Sequence, residues 1–255
     1  MKIHYVETEA AEPRNPIFIC GLPGSAFVGK FALDHLIQDL SAKLFGEIYN
    51  DAFPSEVIIK DDGTATLIKN ELHISRADAL ANDIILFTGE SQPSTSESNY
   101  ALSEYVVDLA ARYGARQLVT LGAYVTGTFV ESPKVYAVGT DLSTVSRLEK
   151  TGCTIMNDGL ITGMNGLLLG MAKLKGLTGF TLLGETSGLA FDPKASRVVL
   201  ETLSQLLGIR LDMKLLEQRA RDAQEVMNAL EDLKNRDVEE TGPSRTDRKR
   251  LDYIS

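Results

Sequence analysis

Gly24, Gly29 and Lys30 stand in the spacing Gly-x4-Gly-Lys. These are the first seven positions of a loop whose backbone N–H groups cradle phosphate and whose lysine neutralises it. The eighth position of such a loop supplies a Ser or Thr hydroxyl to Mg²⁺, and here it is Phe31. Phe27 and Val28 add bulk where the backbone should wrap a phosphate, and no apolar strand ending in Asp offers a second metal ligand. The pattern therefore reads as a tight strand-to-helix turn, with Phe27, Val28 and Phe31 packed on a sheet, and ATP hydrolysis is not expected. Other catalytic sets are missing. Ser25 lies in Pro-Gly-Ser-Ala-Phe rather than a Gly-x-Ser-x-Gly elbow. Any triad would have to draw on His4, His35 or His73, which read as structural or solvated. Glu90 and Glu185 could share acid–base work, but sequence spacing does not bring them together. Three histidines and two cysteines without paired ligand spacing argue against a metal. Cys20 and Cys153, far apart, do not suggest a disulfide framework. No cofactor is expected.

The elements that would position these residues are legible as runs. Ile17–Gly21, Ile84–Gly89, Leu118–Gly122 and Phe180–Gly184 are short apolar stretches, each stopping at a glycine. Such runs suit parallel strands buried on both faces. Helical patterns lie at 26–40, 97–113, 164–174 and 194–207, the last introduced by Asp192-Pro193 as cap and first residue. Between the first two buried runs, 57–60, 64–69 and 72–74 read as a meander turning at Asp62-Gly63. The expectation is a single three-layer α/β domain with a mixed central sheet. If the four buried strands run parallel, the segments after their glycines share one edge, where open α/β sheets bind ligands. Gly24, Ser25, Lys30, Glu90, Gln92 and Glu185 are the candidate lining of a crevice there. A small-molecule site and ordinary polar loop ends are both consistent with them.

The chain has 255 residues, 44% of them hydrophobic, and a net charge of −9. That acidity disfavours nucleic acid as a partner. No apolar stretch is long enough to span a membrane, and the first fifteen residues lack a signal core, so the expected compartment is the cytoplasm. Residues 210–255 hold 10 basic and 11 acidic side chains, which leaves 16 and 24 to the first 209. The chain thus divides into a body at 1–209, a charged helix at 210–237 and a flexible polar tail at 238–255. Along the helix Met213, Leu216, Ala220, Ala223, Met227 and Leu230 follow a heptad seam. Such a seam serves either association with another subunit or packing on the chain's own body. Arg245, Arg248, Lys249 and Arg250 form a basic cluster before Tyr253.

From about Asn15 to about Ala223 the chain resembles the proteasome assembly chaperone 2 family in its archaeal form. The residues that carry the likeness are Gly21-Leu-Pro-Gly-Ser-Ala-Phe-Val-Gly-Lys30, Phe53-Pro54, Leu121-Gly-Ala-Tyr124, Ile161-Thr-Gly-Met-Asn-Gly-Leu-Leu-Leu-Gly170, Leu182-Leu-Gly-Glu-Thr186 and Asp192-Pro-Lys-Ala195. The resemblance implies a phosphorylase/hydrolase-like fold without a demonstrated reaction. It also implies a homo-oligomer that binds proteasome α subunits and assists assembly of the 20S core. Some relatives dock a C-terminal hydrophobic-Tyr-any tripeptide between α subunits. Here the sequence reads Leu251-Asp252-Tyr253-Ile254-Ser255, with Tyr253 one place early and Asp252 before it. Leu251, Tyr253, Ile254 and Ser255 are carried over as the corresponding candidate partner-binding segment.

Overall fold

The computed structural model describes residues 2–76, 82–188, 191–214, 216 and 218. Its elements in chain order are β1 (Ile3–Glu7), β2 (Ile17–Gly21), α1 (Val28–Asp39), β3 (Lys43–Asn50), β4 (Val57–Ile59), β5 (Ala65–Leu67), β6 (Asn70–Ser75), β7 (Ile84–Gly89), α2 (Ser96–Arg112), β8 (Gln117–Val125), β9 (Val135–Gly139), α3 (Leu142–Lys150), β10 (Thr154–Ile155), α4 (Gly163–Leu174), β11 (Thr178–Thr186) and α5 (Pro193–Leu207). Nine strands form one mixed sheet in the order β1-β3-β6-β7-β2-β8-β11-β9-β10. The four glycine-ended runs are its centre, with β7, β2, β8 and β11 side by side and parallel. Antiparallel strands extend it on both sides, through β6 and β3 to β1 and through β9.

Successive residues of each central strand feed opposite faces, as the two-residue period of a strand requires. Ile19, Leu86, Val119, Leu121 and Leu182 join α1, α3 and α5 in one core. Phe18, Ile85, Phe87 and Leu118 join α2 and α4 in the other. Helices therefore cover both faces of the sheet, which is the expected three-layer α/β arrangement. Local sequence sets the helix starts. Thr95, Asp141 and Asp192 each accept a backbone N–H two or three residues into α2, α3 and α5, and Pro193 occupies the first turn of α5.

Two sequence expectations need correction, and one alternative left open by the sequence is resolved at two positions. The meander splits: β4 and β5 form a separate two-stranded hairpin, while β6 enters the main sheet between β3 and β7. The helix expected from residue 26 begins at Val28, because Ala26 and Phe27 hold left-handed conformations with φ of 51° and 54°. Phe27 is consequently not packed on the sheet but 49% exposed, whereas Val28 is fully buried. Finally, Met213 packs against, and Leu216 lies within, the core shared by α1 and α5. At these two positions the seam faces the chain's own body. The remaining seam positions, Ala220, Ala223, Met227 and Leu230, and the tail positions Leu251, Tyr253, Ile254 and Ser255 lie outside the described residues.

Candidate functional site

A crevice of about 400 Å³ opens at the carboxyl end of the central strands, between the turn after β2, the end of β8 and the start of α4. Three sequence motifs converge there through close backbone approach. α1 lies so near β8 that a Cβ on Gly29 would sit 2.0 Å from the Leu121 carbonyl oxygen. The second glycine of the phosphate-loop pattern is thus required by helix–sheet packing. On the other side of β8, a Cβ on Gly122 would meet the Asn165 amide nitrogen at 2.5 Å. That same nitrogen donates to the Leu121 carbonyl at 3.0 Å. Gln92 closes the ring. Its Nε2 donates to the Pro23 carbonyl at 2.5 Å, and its Oε1 accepts the Met164 N–H at 3.0 Å. Thr162 makes no side-chain cap on α4, so Gln92 satisfies one of the orphan donors of that helix from a distant loop.

The strained turn beside the crevice is held by its own bonds. The Ala26 carbonyl accepts from the Asp192 N–H at 3.1 Å, and the Phe27 N–H donates to the Gly24 carbonyl at 3.0 Å. Two adjacent non-glycine residues in left-handed conformations cost roughly 1–3 kcal/mol each. Phe31 meets Phe191 edge-to-face at 4.2 Å, which fastens the start of α1 to the segment before α5. Tyr124 stacks on Tyr136 at 3.8 Å on the far rim.

The structure brings Gly24, Ser25 and Gln92 together in the crevice, and leaves out Lys30, Glu90 and Glu185. Lys30 lies within the first turn of α1, where its ammonium is bound by both oxygens of Asp34 at 2.6 and 2.8 Å. Glu90 accepts the Lys69 backbone N–H at 2.9 Å, and Glu185 accepts that of Lys134 at 3.0 Å. Both carboxylates are engaged in joining loop ends to strands. Among the described residues, no charged side chain lines the crevice. The acid–base roles considered for Glu90 and Glu185, and the phosphate role for Lys30, therefore lack the necessary placement. Asn165, which the sequence reading did not single out, lies in the crevice; its signal was the Gly-Met-Asn-Gly stretch.

Ionisable groups gather instead on β3 and β6. Lys69 lies between Glu47 and Glu71, at 2.9 Å from the latter, and His73 Nε2 is 3.1 Å from the other Glu71 oxygen. The contacts with His73 and Lys69 outweigh burial and hold the Glu71 carboxyl down at about 2. Among the described residues no cluster of His, Cys, Asp and Glu has the geometry of a metal site, and no helix is long and apolar enough to cross a membrane.

The PAC2 family signature matches residues 18–231. The chain belongs to the PAC2 family. An uncharacterized protein of Methanocaldococcus jannaschii is 33% identical over 90% of this chain and 89% of its own length. Among solved structures, Pyrococcus furiosus PbaB, described as an archaeal proteasome activator, superposes with a TM-score of 0.85 at 33% identity. That match covers 90% of this chain and 98% of PbaB. PbaA of the same organism, described as an archaeal homolog of proteasome-assembly chaperone, gives a TM-score of 0.77 at 26% identity over 93% and 95% of the two chains. As a PAC2 protein, the chain shares its α/β fold with PbaB and PbaA.

Proposed function

We propose that this PAC2 protein is a non-enzymatic, chaperone-like, self-associating cytoplasmic protein that binds proteasome α subunits and assists assembly of the 20S core. The observation that carries this reading is the match to the archaeal proteasome activator, which takes in 98% of that chain at 33% identity. The crevice supports it from the chemical side. Gln92 and the Asn165 amide nitrogen are spent on holding the fold together, and neither an acid–base pair nor an unpaired lysine lines it. Function then resides in surfaces. A pull-down of α-type subunits by the full chain, and by a chain lacking Leu251–Ser255, tests the proposal. Retention of α subunits by the full chain is the expected outcome, reduced on deletion where the tail takes part. No retention at micromolar concentrations overturns it.

One observation favours a second reading. A crevice of about 400 Å³ is within the size range of small-molecule sites, and its uncharged lining suits a neutral, nucleoside-like ligand better than a phosphate. A thermal-shift panel of nucleosides, nucleotides and phosphate separates the two. A melting temperature raised by a nucleoside alone supports the ligand reading, and a flat panel removes it.

A further inference from the structure

The hairpin of β4 and β5 stands apart from the main sheet with three residues per strand. A lone two-stranded ribbon is marginal in water, and this one turns apolar side chains outward. Val57 is 53% exposed, Ile59 63% and Leu67 60%. The hydrogen-bond pattern shows which backbone groups are unused. The Lys60 N–H donates to the Thr64 carbonyl at 2.9 Å, so Lys60 and Thr64 form a bonded position of the ladder. Bonded and non-bonded positions concern alternate residues in an antiparallel pair. Ile58, opposite Thr66, therefore also points its N–H and C=O towards β5. Val57 and Ile59 point theirs away, along an edge to which no strand is paired among the described residues.

The sequence of that edge is complementary to itself. Glu56-Val57-Ile58-Ile59-Lys60, run antiparallel against a second copy about a two-fold axis through Ile58, sets Ile58 against Ile58 and Val57 against Ile59. It also sets Glu56 against Lys60. Glu56 and Lys60 are both exposed and lie on the Ile58 side of the strand, alternate to Val57 and Ile59. The outward groups of Val57 and Ile59 then complete four backbone hydrogen bonds. A slip to an axis through Ile59 would set Glu56 against Asp62 and Val57 against Asp61, and a slip to an axis through Val57 would lose the Glu56–Lys60 pairing. We infer that the free edge of β4 is a self-association site, at which a second copy of this chain extends the hairpin into a four-stranded sheet. An uncharged strand centre with opposite charges at its two ends also adds no net charge where two chains of net charge −9 meet.

This inference rests on the proposed self-association and is independent of α-subunit binding. The test uses the full chain, with assembly mass read by multi-angle light scattering. Glu56→Lys and Lys60→Glu each set like charges opposite one another and should lower the assembly mass. The double variant restores opposite charges and should recover it. Ile59→Pro removes only an outward N–H, so it should block pairing while leaving the melting temperature of the hairpin-bearing domain close to that of the parent. Ile58→Cys gives the direct readout. Non-bonded antiparallel partners lie about 4.5 Å apart at Cα, within disulfide reach. Copper–phenanthroline should take two electrons and two protons from the paired thiols to form a covalent dimer reversed by dithiothreitol. The parent, whose Cys20 and Cys153 are buried, should form none. An assembly that persists with unchanged mass in all these variants, without cross-linking, overturns the β4 edge and leaves self-association to another surface. A parent chain that is monomeric at high concentration overturns both, with α-subunit binding still judged by its own pull-down.

Discussion

Glycine 29 shows how a functional motif can be an imprint of packing. The pattern Gly24-x4-Gly29-Lys30 looks like phosphate chemistry, yet Gly29 is pressed against the Leu121 carbonyl, where a Cβ would lie 2.0 Å from the oxygen. Backbone contacts this short cannot be relieved by rotating a side chain. Gly29→Ala should therefore cost about 3 kcal/mol or more, seen as a lower urea midpoint with an unchanged slope. Lys30, which a phosphate loop would need, is held by Asp34. At the same scale, Glu71 couples folding to acid. Its carboxyl is held at about 2 in the fold, against an ordinary value of 4.5, by His73 and Lys69. A depressed folded-state pKa contributes stability that is whole above the unfolded value and disappears as pH falls towards the folded one. Glu71→Gln should remove that contribution. The parent's melting temperature should fall more steeply than the variant's between about pH 4.5 and pH 2, and the curves should converge below it. Parallel curves through that window would detach Glu71 from acid stability.

Among the elements, the legible ones were those whose identity is local. Four apolar runs ending in glycine became the four central parallel strands, because burial on both faces leaves no room for polar residues. Asp192-Pro193 set the start of α5 because cap and proline act within one turn. Edge elements were harder to read. β3 interleaves Lys43, Gly46, Glu47 and Asn50 with its apolar residues; β9 and β10 are short and lie towards the other margin of the sheet. Their strand state depends on partners distant in sequence, a context that a local pattern lacks. The meander at 57–74 was legible as strands, but not in its division between a free hairpin and the main sheet. The candidate crevice followed the same rule. Gly24, Ser25 and Gln92 line the crevice, while Lys30, Glu90 and Glu185 do not, because side-chain direction and pairing decide their place.

For the whole molecule, the question is whether the body closes before the charged helix begins. Sequence composition put a boundary after Ile209, where charge density rises sharply. The packing runs past it. Leu216 is fully buried in the core that includes Leu33, Leu36, Leu200 and Leu203, and Leu211 and Met213 pack against the same core. At Leu211, Met213 and Leu216 the apolar side chains after the boundary belong to the domain. Leu216→Ala should then cost about 2–5 kcal/mol, as for other fully buried leucines. In a body of this size each kcal/mol lowers the melting temperature by about 2–4 °C. A chain ended at Ile209 should melt lower still, because it uncovers the core beneath Leu211, Met213 and Leu216 together. These outcomes separate the two uses of the seam. A residue serving only association would change assembly mass and leave the melting temperature of a dilute, dissociated sample untouched. A drop in melting temperature that is independent of protein concentration places Leu216 in the body's own core. A drop that vanishes on dilution would return it to the interface between copies.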